Sequence, residues 1–130
     1  MKKTFIDTNI FLEIFVRKGE KSESCLSKIA SEKGLWTNTI VLLEIEWVLR
    51  SAYNLPRAAI TQCLRFILSK KNIALPHRND FFGVVSFYES SSIDLADCMN
   101  AFECKRSQCK RVYSFDRHYS HFPWLKRLEP

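Results

Sequence analysis

Three acidic residues fall at positions where the local sequence pattern places a carboxylate for chemistry: Asp7, Glu44 and Asp116. Asp7 and Asp116 each follow a short apolar run that is typical of a buried strand. Because the carboxyl ends of parallel strands meet at one edge of a sheet, we expect Asp7 and Asp116 to lie near each other. The alternative use of Asp7 is to cap the helix-like segment that follows it.

The apolar residues around Glu44 distinguish it from its neighbour Glu46. In a helix, Glu44 shares its face with the apolar residues three and four positions away: Ile40, Val41, Trp47 and Val48. A carboxylate among apolar groups is costly unless its charge is compensated. Glu46 points instead toward Arg50 four residues later, which is the arrangement of an ordinary exposed ion pair. We therefore expect Glu44 to be the functional carboxylate and Glu46 to be a surface residue.

A third acidic pair, Asp94 and Asp97, opens another helix-like segment. Asp94 at the N-cap and Asp97 in the first turn would both favour that helix end, so helix capping alone explains them. Nearby, His118 and His121 follow Asp116 and would either contact a phosphate or lie in an exposed loop. Aromatic residues in the same region would either stack on bases or pack in the core: Tyr113, Phe115, Tyr119 and Trp124.

Carboxylates that converge on one sheet edge repel one another unless they are protonated or bridged by a cation. A site built from oxygen ligands suits a hard divalent ion, Mg²⁺ or Mn²⁺. Such an ion lowers the pKa of bound water and stabilises negative charge on a phosphate. The acidic set therefore indicates metal-dependent phosphodiester hydrolysis, which needs no Ser, Cys or His nucleophile.

The order of apolar segments predicts the elements that must hold these residues. Segments with strand character alternate with segments whose apolar residues recur every three or four positions. This alternation predicts one α/β domain over residues 1–130, with a mostly parallel sheet of four to five strands covered by helices on both faces. The predicted strands cover residues 3–6, 35–37, 72–76, 111–116 and 124–130, and the predicted helices cover 8–17, 21–33, 40–53, 56–69, 79–90 and 95–106.

The amino-acid composition argues against several other classes of protein. Forty-six per cent of the 130 residues are hydrophobic, which argues against disorder, and the 3 glycines leave no glycine-rich phosphate loop. The odd count of 5 cysteines indicates free thiols rather than a disulfide framework, and Cys98, Cys104 and Cys109 lack the close pairs of a zinc module. With no long apolar segment, we expect a cytoplasmic protein without a membrane span.

Positive charge is concentrated near the end of the sequence. The net charge is +6, and residues 105–130 carry seven basic and two acidic side chains. A basic region of this kind suits a polyanion such as nucleic acid, or an acidic protein partner. An ordinary solvated surface is the alternative, so charge supports a nucleic-acid partner without establishing one.

Four segments that contain the acidic residues resemble the motifs of PIN-domain ribonucleases, particularly the single-domain VapC-type toxins of bacterial and archaeal toxin–antitoxin pairs. The segments are "FIDTNIFLEIF", "TIVLLEIEWVL", "SIDLADCMNAFEC" and "VYSFDRHYSHF". Their order and separations agree with the family, and the resemblance extends over essentially the whole chain.

The resemblance implies an α/β/α sandwich and an endoribonuclease that depends on Mg²⁺ or Mn²⁺. It also implies an RNA substrate, inhibition by a cognate antitoxin protein, and assembly as a homodimer or a toxin–antitoxin hetero-oligomer. By position, the resemblance makes Asp7, Glu44, Asp97 and Asp116 the catalytic metal ligands, with Asn9 and Ser114 as polar supports. Asp94 matches a position where the family often has an extra acid, whereas Asn100 departs from the expected apolar residue.

Two other interpretations remain open at the level of sequence. A phosphoacceptor receiver domain would need an adjacent acidic pair after the first strand, and "FIDTN" provides one acid only. A catalytically inactive PIN-like module would bind RNA or a protein partner without cleaving it. The complete set of four carboxylates disfavours the inactive module, because an idle site has no reason to keep uncompensated charge.

Overall fold

The computed structural model describes residues 2–130, and within them the chain forms five short strands and six α-helices. The strands are β1 (Thr4–Phe5), β2 (Leu35–Trp36), β3 (Ile73–Ala74), β4 (Arg111–Tyr113) and β5 (Lys126–Leu128). The helices are α1 (Thr8–Leu12), α2 (Ser22–Ser31), α3 (Thr39–Ser51), α4 (Arg57–Leu68), α5 (Arg78–Ser90) and α6 (Leu95–Arg106). A π-helical segment, Glu13–Arg17, continues α1, and a 3₁₀ helix, Arg117–His121, lies between β4 and β5.

All strand pairings in this part of the chain are parallel, as predicted. β2 lies between β1 and β3, with Leu35 opposite both Thr4 and Ile73. β4 pairs with β5, so that Val112 lies opposite Arg127. The α/β fold class is confirmed, and the five described strands form two sheets, of three and two strands.

The chain divides into two compact units, the first ending at Arg78 and the second running from Asn79 to Pro130. The first unit contains β1–β3 and α1–α4, and its core includes fully buried side chains from three helices and a strand: Phe11, Leu42, Ile45, Leu64 and Ile73. The prediction that residues 1–130 form one domain remains a prediction.

The second unit has an aromatic core. Phe87 packs against the rings of Phe102 and Trp124, with centroids 5.8 and 5.7 Å away. Phe102 also approaches α5 so closely that a Cβ atom on Gly83 would lie 2.4 Å from its ring. A glycine at position 83 therefore lets the Phe102 ring of α6 pack directly against the α5 backbone.

The orientation of α3 differs from the prediction. Glu46 lies on the buried face and is only 3% exposed, and its carboxylate accepts a hydrogen bond from Arg50 Nε at 2.8 Å. Glu44 lies on the exposed face, together with Ile40 and Trp47, which are 75% and 58% exposed. The expected burial of Glu44 and exposure of Glu46 was therefore wrong.

The physical reason is the wide apolar stripe of this helix. Val41, Leu42, Ile45 and Leu49 pack inward, and position 46 lies one turn after Leu42 on the same side. Of the apolar residues three and four positions from Glu44, Ile40 and Trp47 face outward and Val41 packs inward. The helix begins one residue earlier than predicted and is capped by Asn38, whose side chain accepts a hydrogen bond from Val41 N at 3.0 Å.

None of the helices described in residues 2–130 combines the length and the hydropathy that a membrane-spanning helix requires.

Candidate metal centre

A tight turn after β4 fixes the carboxylate of Asp116. Its Oδ1 atom accepts a hydrogen bond from the backbone N of His118 at 2.9 Å, and its own backbone N donates to Ser114 Oγ at 3.0 Å. Arg127 Nη1, on the neighbouring strand β5, donates to the carbonyl oxygen of Ser114 at 2.9 Å. These bonds hold Asp116 at the N-terminus of the 3₁₀ helix, where backbone N–H groups favour a negative charge.

A hydrogen-bonded chain of side chains fixes the carboxylate of Asp97, in the first turn of α6. The hydroxyl of Tyr119 donates to Asp97 Oδ1 at 3.2 Å, and Asn100 Nδ2 donates to the hydroxyl oxygen of Tyr119 at 3.1 Å. Tyr119 is 7% exposed, so its ring is held by the core of the second unit. The carboxylate is thereby oriented by a residue that lies 22 positions later in the chain.

These two carboxylates and the imidazole of His118 form one cluster. One potential ligand atom from each of Asp97, Asp116 and His118 lies within 4.8 Å of the other two. His118 Nδ1 is 3.4 Å from Asp116 Oδ1, and both side chains are about two-fifths exposed, at 42% and 43%. The cluster is therefore reachable from solvent.

The two carboxyl groups differ in their affinity for protons. Burial raises the pKa of Asp97, and the nearby charges of Asp116 and Asp94 raise it further, although the hydrogen bond from Tyr119 opposes this. The hydrogen bond from the backbone of His118 lowers the pKa of Asp116, and the side chains of Asp97, His118 and Arg127 act in the same direction. On acidification, Asp97 therefore takes up a proton before Asp116 does.

The cluster fits a divalent metal ion. Its donor atoms are two carboxylates and an imidazole, which are ligands for first-row divalent ions. Burial first, and the neighbouring negative charges after it, raise the pKa of Asp97, and a bound cation would favour its ionised form. Asp97, Asp116 and His118 are thus the residues of the second unit that could hold a metal.

The remaining predicted residues lie in the first unit or beside the cluster. Asp7 is exposed and caps α1, because its Oδ1 accepts a hydrogen bond from Thr8 N at 2.8 Å. Asn9 is exposed in the first turn of α1, and Glu44 is exposed on α3. The capping role of Asp7 is observed, and the metal-binding roles of Asp7 and Glu44 remain predictions.

Two residues left open by the sequence now have positions. Asp94 occupies the N-cap position of α6. Its negative charge contributes to the raised pKa of Asp97. Asn100 is tied to the cluster through the hydroxyl of Tyr119. Ser114 Oγ accepts a hydrogen bond from the backbone N of Asp116, and its role as a polar support of the site remains a prediction.

Sequence reasoning did not assign His118 or Tyr119 to this site. His118 was interpreted as a loop residue or a phosphate contact, and Tyr119 as a core or base-stacking residue. The available signal was the spacing Asp-x-His, because an aspartate that caps a turn brings the residue two positions later back toward its carboxylate. Nothing comparable marks Tyr119, whose partner Asp97 is on another element.

The sequence profile of the PIN domain matches residues 4–125, which is most of the chain and includes all four predicted acidic residues. The chain belongs to the PIN domain family. PIN domains are typically metal-dependent nucleases, so the family membership and the Asp97–Asp116–His118 cluster indicate the same general chemistry. A search of curated proteins found no match.

Proposed function

We propose that this PIN domain is an endoribonuclease that depends on Mg²⁺ or Mn²⁺ and hydrolyses RNA phosphodiester bonds. The observation that carries the proposal is the convergence of Asp97 and Asp116 with His118 in a solvent-accessible cluster. Family membership supports a nuclease, and the donor atoms of the cluster support a metal-dependent one.

Neighbouring groups act differently on the two carboxylates of the cluster. When bound, the metal ion would supply an activated water and neutralise charge on the scissile phosphate. Asp116 is held ionised by the backbone N–H of His118, and Asp97 is held in one orientation by Tyr119. From their positions in the family pattern, we propose that Asp7 and Glu44 also contribute to catalysis.

The basic surface of the second unit supports RNA as the substrate. A cavity of about 780 Å³ is lined by Lys105 and Lys110 together with Trp124. Lys105 Nζ lies 4.6 Å from the centre of the Trp124 ring, so cationic and aromatic groups occur together, as in sites that contact phosphates and bases of single strands. Arg117, directly after Asp116, adds an exposed positive charge beside the cluster.

The biological role that we propose is that of a VapC-type toxin, acting in the cytoplasm and inhibited by a cognate antitoxin. The support is the family membership together with the four motifs that resemble this subgroup. We further propose that the chain assembles as a homodimer or as a toxin–antitoxin hetero-oligomer.

A circular RNA substrate provides a direct test of the activity, because only an endonuclease can linearise it. Purified protein, free of any antitoxin, is incubated with circular structured RNAs in Mg²⁺, in Mn²⁺ or in EDTA. We expect linear products with either metal and none with EDTA, and activity should return when metal is added back in excess. A matched circular single-stranded DNA measures preference for RNA.

Two variants of the second unit serve as controls in this assay. Asp116→Asn should abolish cleavage, whereas Glu103→Gln, on the exposed face of α6, should cleave like the wild type. RNA binding without cleavage under all metal conditions would contradict the proposal and favour a non-catalytic PIN-like module. Cleavage that persists after thorough chelation would exclude the metal mechanism.

A further inference from the structure

His118 occupies an unusual position relative to the two carboxylates. The backbone N–H of His118 binds Asp116 Oδ1, and this turn also brings the imidazole ring back over the same carboxylate, with Nδ1 3.4 Å from Oδ1. The position of the ring therefore follows from the local fold around Asp116. Any group that binds at the Asp116 carboxylate on this side also meets the imidazole.

The Nδ1 atom of His118 is buried, yet it has no hydrogen-bond partner among the residues that the structure describes. Its separation from Asp116 Oδ1 is short, but the two atoms do not have the geometry of a hydrogen bond. Buried polar nitrogen atoms are normally satisfied by a partner. A buried nitrogen without a partner, 3.4 Å from the Asp116 carboxylate, is in the position of a metal ligand.

The spacing of the three groups agrees with one coordination shell. Ligand atoms in an octahedral shell with bonds of about 2.1 Å lie about 3 Å apart, close to the 3.4 Å between His118 Nδ1 and Asp116 Oδ1. One potential ligand atom from each of Asp97, Asp116 and His118 lies within 4.8 Å of the other two. These separations are compatible with all three groups binding one ion.

We propose that His118 is a metal ligand in this chain, adding an imidazole nitrogen to Asp97 and Asp116, and that the centre therefore selects Mn²⁺ over Mg²⁺. Mg²⁺ prefers oxygen ligands and keeps much of its water, whereas later divalent ions of the first row bind imidazole more readily. The proposal builds on the metal-dependent function proposed above, but it makes a separate claim about ligand identity.

Pulsed electron paramagnetic resonance of bound Mn²⁺ tests the ligand directly, because a coordinated imidazole gives a ¹⁴N coupling. The full chain, loaded with one equivalent of Mn²⁺, should show this coupling. His118→Asn should remove it, whereas His121→Asn, altering an exposed histidine of the same 3₁₀ helix, should retain it. A wild type without ¹⁴N coupling, or a coupling that survives His118→Asn, would overturn the proposal.

Competition between the two ions tests selectivity. We expect the ratio of Mn²⁺ to Mg²⁺ affinity, measured by displacement of Mn²⁺ with Mg²⁺, to fall about tenfold or more in His118→Asn. His118→Asp restores three ligands but makes them all oxygen, so it should bind Mg²⁺ better than His118→Asn does. Thermal melting of each variant verifies folding. An unchanged ratio in both folded variants would mean that His118 only forms an ion pair with Asp116.

The outcomes separate this proposal from the nuclease proposal. An Mn²⁺–nitrogen coupling in a protein that cleaves no RNA would contradict the nuclease and retain the ligand. Metal-dependent cleavage without any nitrogen coupling would retain the nuclease and overturn the role of His118. A chain that binds no Mn²⁺ at all would overturn the metal centre itself.

Discussion

The hydroxyl of Tyr119 donates a hydrogen bond to Oδ1 of Asp97 across 3.2 Å, and the same hydroxyl accepts one from Asn100. Because the Tyr119 ring is buried, the bond restricts the rotation of the Asp97 carboxylate. Groups that orient a metal ligand in this way commonly affect metal affinity without touching the ion. Tyr119 is therefore a positioning residue of the candidate metal centre.

Removing the hydroxyl of Tyr119 should weaken metal binding while leaving the fold largely intact. Tyr119→Phe keeps the buried ring but loses the bond to Asp97, so we expect the metal concentration for half-maximal cleavage to rise about tenfold. The free energy of unfolding should fall by about 1 kcal/mol. Tyr113→Phe removes the hydroxyl of an exposed tyrosine in β4 and serves as the control. Equal metal requirements in the two variants would contradict the positioning role.

Substitution of Glu44 should change the cleavage activity, whereas substitution of Glu46 should change the free energy of unfolding. Glu44→Gln removes an exposed charge, so it should lower cleavage by about 100-fold or more if Glu44 is a metal ligand, with a change in unfolding free energy within about 0.5 kcal/mol. Glu46→Gln removes a buried charge that pairs with Arg50, and we expect it to destabilise the protein by about 1–3 kcal/mol.

Both glutamate variants are measured by chemical denaturation and by RNA cleavage at a temperature where each is folded. A stable Glu46→Gln would contradict the observed burial of this residue. Full activity in Glu44→Gln would remove Glu44 from the catalytic set, and a folded but inactive Glu46→Gln would make Glu46 the candidate in its place.

The sequence allowed most of the fold to be predicted because the helices and strands of this chain are marked by local signals. Gly34, at a positive φ of 72°, ends the turn before β2, and the apolar stripe of α3 was visible in its residues. The face of α3 that packs inward was not predicted correctly, because Glu46 is buried while its partner Arg50 is exposed. A buried glutamate breaks the rule that charged side chains face solvent. Tertiary packing decided between two faces that both contain apolar residues.

The parts of the candidate site that form between residues close in the sequence could be predicted from the sequence. Asp116 and Ser114 are two residues apart and hydrogen-bond through a local turn, and Asp97 lies in a predicted first helical turn. The contact between Tyr119 and Asp97 joins two elements. Their relative position depends on tertiary packing and could not be predicted from the sequence. The role of His118 required the geometry of a turn, which residue types alone did not define.

In His118→Asn, where the imidazole of the cluster is absent, metal affinity should depend on pH through Asp97. Its pKa is raised, so as the pH falls Asp97 binds a proton while Asp116 is still ionised, and metal affinity should decrease across the titration of Asp97. Asp94→Asn removes a negative charge that raises this pKa, so the midpoint of the pH dependence should move to lower pH.

The pH dependence is measured by metal titration at a series of pH values, with Glu103→Gln as a charge-matched control on the same helix. An unchanged midpoint in Asp94→Asn would show that Asp94 does not influence Asp97. A large loss of affinity at every pH would instead identify Asp94 as a metal ligand.

Expression in cells tests the toxin role. We expect the wild-type chain, produced without an antitoxin, to arrest growth, and Asp7→Asn to relieve the arrest at the same protein level. Asp7→Asn keeps a side-chain oxygen that can cap α1, so its fold should be retained. Glu20→Gln, an exposed substitution, is the control and should remain toxic. Equal toxicity from Asp7→Asn would mean that the harm comes from something other than the proposed site.

The central claim is that Asp97 and Asp116 hold a metal ion that RNA cleavage requires. The most direct measurement determines Mn²⁺ binding by calorimetry and the initial cleavage rate of one RNA, over the same metal concentrations, for the wild type, Asp97→Asn and Glu103→Gln. We expect binding and cleavage to rise together in the wild type and in Glu103→Gln, and both to be lost in folded Asp97→Asn. Unchanged metal-dependent cleavage in Asp97→Asn would contradict the central claim.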